Sequence, residues 1–207
     1  LVREEGDAEA LHGVVCCYVD DFLVLMPDGD GRTDFLSAFG SLWTLGKEEM
    51  LAVDKPISFL GLDLHLRTSG HIWLSQHRFV QELLAKHGMG GAKGNDNIVM
   101  PPLPEEEKPP TAEELKALQH LAGSFNWLAT RTRPDVAYAT SLLASACARH
   151  VEWCKELGQK VMRYLAKTAD RGILITAGGD EQSLECWSDA GYAGRDTKSQ
   201  NGLAVFW

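Results

Sequence analysis

The stretch GVVCCYVDDFLVLMP, from Gly13 to Pro27, sets two adjacent carboxylates, Asp20 and Asp21, between two apolar runs. Runs of this length and composition, stopped by Pro27 and by Asp28-Gly29-Asp30-Gly31, read as a β-hairpin with the acid pair at its tip. Such a pair has an ordinary explanation, because aspartate tolerates turn geometry and is well solvated there. The apolar flanks support a second. Like charges fixed at the end of a stiff hairpin repel unless a cation sits between them. Hard carboxylate oxygens suit Mg²⁺, which takes one or two protein carboxylates together with the phosphates of a substrate. Two such ions about 3.5–4 Å apart clamp the attacking and leaving oxygens of a phosphoryl transfer. The residues alone leave both explanations standing.

Outward from the hairpin, the pattern alternates between strand and helix and predicts an α+β fold. Leu1 to Arg3 ends a strand, and the polar EEGDAEA turns the chain into the hairpin. Phe35, Leu36, Phe39 and Leu42 recur at helical spacing between Arg32 and Trp43. PISFLGLDLHLRTSGHIWLSQ supplies two short strands around Thr68-Ser69-Gly70. Ser75 is placed to cap a helix carrying Phe79, Val80, Leu83 and Leu84, closed by Gly88. Residues 100–110 hold five prolines and the run Glu105-Glu106-Glu107, a solvated linker that excludes regular structure. Thr111 and Glu114 have the spacing of a capping box. The helix behind them has Leu115, Leu118, Leu121, Ala122, Phe125 and Leu128 as its apolar stripe. Pro134 opens a further helix to about Arg149, with Val136, Leu143 and Cys147 inward. The last helix, near Glu152 to Thr168, carries Trp153, Leu157, Val161 and Leu165. GILITA, LECWSDA and GLAVFW then predict an antiparallel meander. Because a three-stranded sheet with no covering helix is poorly stable, the sequence is expected to stop before its last domain does.

Composition narrows the function. The 207 residues are 44% hydrophobic, enough for a core, and no apolar run reaches the roughly 20 residues of a membrane span. No secretory signal is visible. The five cysteines form no C-x-x-C pair and read as reduced, small apolar residues of an intracellular protein. The seven histidines are scattered and read as surface or packing residues, and Ser124, Ser141 and Ser145 as helix-packing residues. A net charge of −9 counts against a general nucleic-acid binder. The charge is uneven, however: from Lys116 to Arg171 nine basic residues stand against four acidic ones. In that region Trp127, off the apolar stripe, is a candidate to contact bases, whereas Phe125 belongs to the core. Arg131 and Arg133, before Pro134, either bind phosphate or solvate the turn.

Four stretches, YVDDFLVL, FLGLDLHLRTSGHIWLSQHRFVQELLAKHGM, LAGSFNWLATRTRPDVAYATSLLA and CWSDAGYAG, follow one another in the order found in Pol polyproteins of copia-type LTR retrotransposons. The chain resembles that family over most of its length. The resemblance implies the C-terminal part of a reverse transcriptase palm over 1–74 and a helical thumb and connection over 75–170. It also implies the truncated start of a ribonuclease H-like domain, with its opening antiparallel strands, over 171–207. Asp20 and Asp21 match the paired catalytic, metal-binding carboxylates, with Asp20 the more direct ligand. Tyr18 and Val19 match positions bordering the nucleotide and primer end. Phe59, Leu60 and Gly61 match a primer-gripping element. The helices from Ser75 to about Thr168, with Arg131 and Arg133 in a turn between two of them, match a thumb and connection that track the phosphate backbone. Asp189 matches the first metal-binding carboxylate of ribonuclease H.

The implied cofactor is Mg²⁺ or Mn²⁺. The implied partners of the full-length parent are an RNA template, a DNA primer or RNA–DNA hybrid, and a dNTP, with no membrane. The implied location is inside the cell, in a cytoplasmic virus-like particle or the nucleus. A third palm aspartate and the later ribonuclease H carboxylates are expected outside 1–207, and Gly191-Tyr192 stands where many family members have Asp-Trp. Alone, the chain is therefore expected to catalyse neither reaction. The alternative is a degenerate or co-opted remnant that only binds nucleic acid. An unrelated two-carboxylate phosphotransferase would account for the hairpin but not for the other three stretches.

Overall fold

The computed structural model describes residues 2–3, 11–176, 185–191 and 200–206. It divides into two compact units, Leu1–Ile175 and Thr176–Trp207. Helix and antiparallel sheet are mixed, as an α+β chain requires.

The first unit opens with strands β1 (Val2–Arg3), β2 (Leu11–Tyr18) and β3 (Asp21–Leu25), hydrogen-bonded antiparallel in that order. Val14 lies opposite Leu25 and Tyr18 opposite Asp21, so Val19 and Asp20 form a two-residue loop. Helix α1 (Asp30–Leu42) follows. Its apolar spacing is used on β3: Phe35 and Phe39 stack at 5.6 Å, and Phe39 meets Phe22 edge-on at 4.8 Å.

A second sheet contains β4 (Ile57–Phe59), β5 (Leu62–Leu66), β6 (Ile72–Ser75) and β7 (Gly172–Ile175), antiparallel throughout and in that spatial order. GILITA, read from sequence as the first strand of the terminal meander, instead pairs with β6 and closes this sheet. Alternation and β-branching identify a strand but do not name its partner, and here the partner is set by where the helices return the chain. Gly172 makes the pairing possible, because a Cβ at that position would stand 2.0 Å from the Leu74 carbonyl oxygen.

Between β6 and β7 lie α2 (His77–Lys86), α3 (Ala112–Ala129), a 3₁₀ turn (Pro134–Val136), α4 (Ala137–Ala146) and α5 (Val151–Lys167). Ser75 ends β6, and Gln76 takes the N-cap position expected of it. The capping box at α3 forms in full: the Glu114 amide donates to Thr111 Oγ1 and the Thr111 amide to Glu114 Oε2. Phe125, Leu128, Leu143, Leu157, Val161 and Leu165 are completely buried and join α3, α4 and α5. Each such side chain contributes about 1.5–3 kcal/mol relative to an exposed one.

Residues 100–110 contain no helix or strand, yet they are not a free tether. The Trp153 indole donates to the Pro101 carbonyl at 3.0 Å, the Val151 amide donates to the Lys108 carbonyl at 3.1 Å, and Arg149 faces Glu107 at 3.5 Å. Met100 and Leu103 pack against the helical core. All five cysteines are free, and burial, aided by the charge of Cys147, pushes the Cys154 thiol up to about 12. No helix among the described residues is long and apolar enough to cross a membrane. The second unit contains β8 (Glu185–Gly191) paired antiparallel with β9 (Gln200–Phe206).

Candidate nucleic-acid interface

The β2–β3 loop is tight and strained. Val19 has φ +54° while Asp20 remains outside the positive-φ set, in the manner of a type II′ turn, whose first central position ordinarily selects glycine. A β-branched residue there is held in place by its flanking strands. Tyr18, Val19, Asp20 and Asp21 are all exposed, with Val19 at 82%. Among the described residues neither aspartate has a hydrogen-bond or ion-pair partner, and no group of three His, Cys, Asp or Glu is assembled there or elsewhere. Two neighbouring, unpaired and solvent-facing carboxylates suit a hard cation that completes its shell with water and phosphate oxygens.

A second tight loop lies at Leu60–Gly61, between β4 and β5. Phe59 pairs with Leu62, and both loop residues have positive φ, +52° and +73°, as a type I′ turn requires. Gly61 faces α3: a Cβ on it would lie 3.5 Å from Trp127 Cζ2, an ordinary van der Waals contact. In the turn just past the end of α3, the Arg131 guanidinium carbon sits 4.8 Å from the Trp127 ring centroid. The fold thus gathers the Phe59–Gly61 turn, Trp127 and Arg131, which are separated in sequence. Arg131 has no carboxylate partner among the described residues, so its in-plane donors remain available to an anion.

Alongside this cluster runs an open groove of about 570 Å³ between Phe79 of α2 and the α3 residues Lys116, Gln119, His120, Gly123, Ser124 and Trp127. Positions 116, 119, 120, 123 and 127 share one side of a helix with 3.6 residues per turn. The lining contains a lysine, the polar side chains of Gln119, His120 and Ser124, two aromatic rings and no acid, and Gly123 leaves open space above the helix backbone. Sequence reasoning singled out Trp127 but missed Lys116, Gln119, His120 and Gly123. The available signal was the polar side of α3 opposite its apolar stripe.

Arg133 requires a correction. It is 1% exposed and points inward, so it does not belong with the nucleic-acid contacts. Its Nε and Nη2 donate to Asp135 at 3.0 and 2.8 Å, while Nη1 and Nη2 donate to the Thr168 carbonyl and hydroxyl at 2.8 and 2.7 Å. The Tyr164 hydroxyl donates to Asp135 at 2.6 Å and accepts from Arg171 at 2.8 Å. Burial alone pushes the Asp135 carboxyl up, but hydrogen bonds from Arg133 and Tyr164, with the arginine charge, outweigh it and hold the carboxyl below its ordinary value. Burial and the Asp135 hydrogen bond push the Tyr164 hydroxyl up. Arg133 is a buried tie between the α3–α4 turn and the end of α5. In the second unit, Asp189 lies exposed on β8 opposite Gly202, its Oδ1 accepting from the Ala190 amide at 2.9 Å.

The chain is similar to the retrovirus-related Pol polyprotein from transposon RE1 of Arabidopsis thaliana, 30% identical over 192 residues that make up 91% of this chain and 13% of that protein. It is 32% identical over 195 residues to the corresponding polyprotein from transposon RE2 of the same plant, again 91% of this chain and 13% of the relative. A putative transposon Ty5-1 protein of Saccharomyces cerevisiae is 28% identical over 186 residues, 86% of this chain and 56% of that protein. The chain spans only 13% of the length of the two plant polyproteins. No family model matches it, and no solved structure matches it significantly.

Proposed function

We propose, from the similarity of the chain to the retrovirus-related Pol polyproteins of transposons, that it is a section of an RNA-directed DNA polymerase with attached ribonuclease H. Its own part is to hold an RNA or DNA template paired with a DNA primer, inside the cell. The observation that carries this reading is the meeting of the Leu60–Gly61 turn with Trp127 of α3 and with Arg131 just past its end, beside a groove whose lining contains no acid. Two sequence-distant segments, the 59–61 turn and residues 116–131, converge on a surface with the charge, the aromatic face and the open backbone that a nucleic-acid strand requires.

In the complete protein, the primer 3′-hydroxyl would attack the α-phosphate of an incoming dNTP beside the β2–β3 loop, forming the new phosphodiester bond as the α–β phosphoanhydride bond breaks and pyrophosphate leaves. Asp20 and Asp21 would hold Mg²⁺ or Mn²⁺ there, with Tyr18 and Val19 bordering the reacting ends, and the metal would supply electrostatic stabilisation of charge developing on the transferring phosphate. Phe59, Leu60 and Gly61 position the primer, Arg131 contacts phosphate, and Asp189 serves the separate hydrolytic site.

Alone, the chain catalyses neither reaction on this reading, because no third carboxylate accompanies Asp20 and Asp21 among the described residues. That same observation favours, for the chain by itself, a role limited to binding nucleic acid, since the groove is assembled while the acid cluster is not.

Fluorescence anisotropy with a labelled primer–template duplex tests the interface. Trp127→Ala is expected to weaken binding about fivefold to a hundredfold, the range for one lost stacking contact, while Asp20→Ala leaves affinity in metal-free buffer within about twofold, since no phosphate contact is removed. Wild-type binding absent at low salt, or unchanged by Trp127→Ala and Arg131→Ala, removes the interface. Primer extension in Mg²⁺ or Mn²⁺ tests the chemistry: robust extension abolished by Asp20→Ala overturns the proposed inactivity.

A further inference from the structure

Along α5 the first lysines are neutralised. Lys155 binds Glu114 and Glu152 at 2.7 and 3.1 Å, and Lys160 binds Glu156 at 2.9 Å. The compensation then stops. Arg163 and Lys167, one turn apart and exposed, have no carboxylate partner among the described residues, and no acid occurs between Glu156 and Asp170.

A third cation reaches the same place from another part of the chain. After α2 the backbone returns to α5, where the Asn95 amide donates to the Arg163 carbonyl at 3.1 Å. Gly94 approaches Lys167 so closely that a Cβ would stand 2.5 Å from the lysine Cβ and 2.7 Å from its backbone nitrogen. Only glycine fits that approach, and it sets exposed Lys93 beside the end of α5. The negative end of a helix accounts for one cation in its last turn, which Lys167 supplies. It does not account for three. Asp96 and Asp170, the acids nearest in sequence, form no ion pair with any of them among the described residues.

We infer that Lys93, Arg163 and Lys167 form a second phosphate-binding patch, built from residues other than those of the α3 groove, that takes the sugar-phosphate backbone of a bound nucleic acid. The choice of nucleic acid as the polyanion rests on the reading of the α3 groove given above. The contact is to backbone alone, so it is independent of base sequence.

The test uses the full 207-residue chain and two labelled primer–template duplexes of unrelated sequence, with affinity measured by anisotropy across a KCl series. Each phosphate contact contributes about 0.9 to the slope of log affinity against log salt. Lys93→Gln, Arg163→Gln and Lys167→Gln together should flatten that slope by about 2 to 3 on both duplexes. Affinity near 0.1 M salt should fall about tenfold or more, as counterion release at those contacts is lost. Gly94→Val alters no charge but displaces Lys93, and should flatten the slope by about 1. The patch is overturned if the triple variant matches wild type in affinity and slope while Trp127→Ala still weakens binding; the groove then stands alone. Absence of any salt-dependent binding by the wild-type chain removes the groove and the patch together.

Discussion

Asp135 shows how a single side chain can change the reading of its neighbour. From sequence, Arg133 two residues earlier stood in an interhelical turn, free to meet phosphate or water. Its actual partners, Thr168 and Tyr164, lie about thirty residues further along, and no local pattern announces them. The carboxylate that completes the set makes the tie sensitive to acid. Because Asp135 in the folded chain ionises below its ordinary value, its contribution to stability is fully present above the unfolded value, about 4. It is lost as pH falls through the lower folded value. Thermal midpoints measured from pH 7 down to pH 2 should therefore drop more steeply for wild type than for Asp135→Asn, and parallel curves would contradict the coupling. Arg133→Ala at pH 7 leaves the buried Thr168 carbonyl and hydroxyl without their donor and Asp135 without its cation, and should cost about 1–3 kcal/mol in urea unfolding. By contrast, the acid pair at 20 and 21 was legible because both flanks are apolar runs of strand length, while the strain at Val19 was not, since valine gives no turn signal.

Among the elements, α3 was the most legible. Its start is written in Thr111 and Glu114, and its buried stripe is the one periodicity assigns. Hydrogen bonds from Lys155 and then Thr111 hold the Glu114 carboxyl down to about 2, so the cap contributes from neutral pH down to the ordinary glutamate range and weakens below it. Thr111→Ala should lower stability by about 1 kcal/mol, within the range of lost N-caps, read from the urea midpoint at constant slope. An unchanged midpoint would mean that the strap of residues 100–110 fixes the helix start without the cap. That strap was not legible: proline content excluded regular structure correctly, but the indole that binds Pro101 lies fifty-two residues away. The identity of β7 as a strand was equally plain, and its place in the sheet equally hidden, because pairing across four helical segments leaves no local trace.

At the scale of the molecule, net charge misleads and its distribution informs. A total of −9 opposes nucleic-acid binding, yet the cations concentrate on the helices, where the α3 groove is lined by no acid and α5 ends in cations with no carboxylate partner among the described residues. The two units also differ in what holds them. The first encloses the buried core of α3, α4 and α5, whereas every described side chain of β8, and those of residues 201–205 in β9, is exposed. A two-stranded pair of that kind is marginal in water. Hydrogen exchange followed by mass spectrometry should show the β8 and β9 amides exchanging far ahead of those of α5, which open only when the core does. Equal protection would show that the ribbon is secured by contacts outside the described residues. The closure of the second sheet by β7 carries a further consequence for synthesis. β6 leaves the ribosome roughly a hundred residues before β7, an interval of about 5–20 s at ordinary elongation rates. For that time the nascent polypeptide displays a bare β6 border on which trigger-type chaperones, or a neighbouring nascent copy, can act, and shortening the wait by faster translation should raise the yield of correctly folded material.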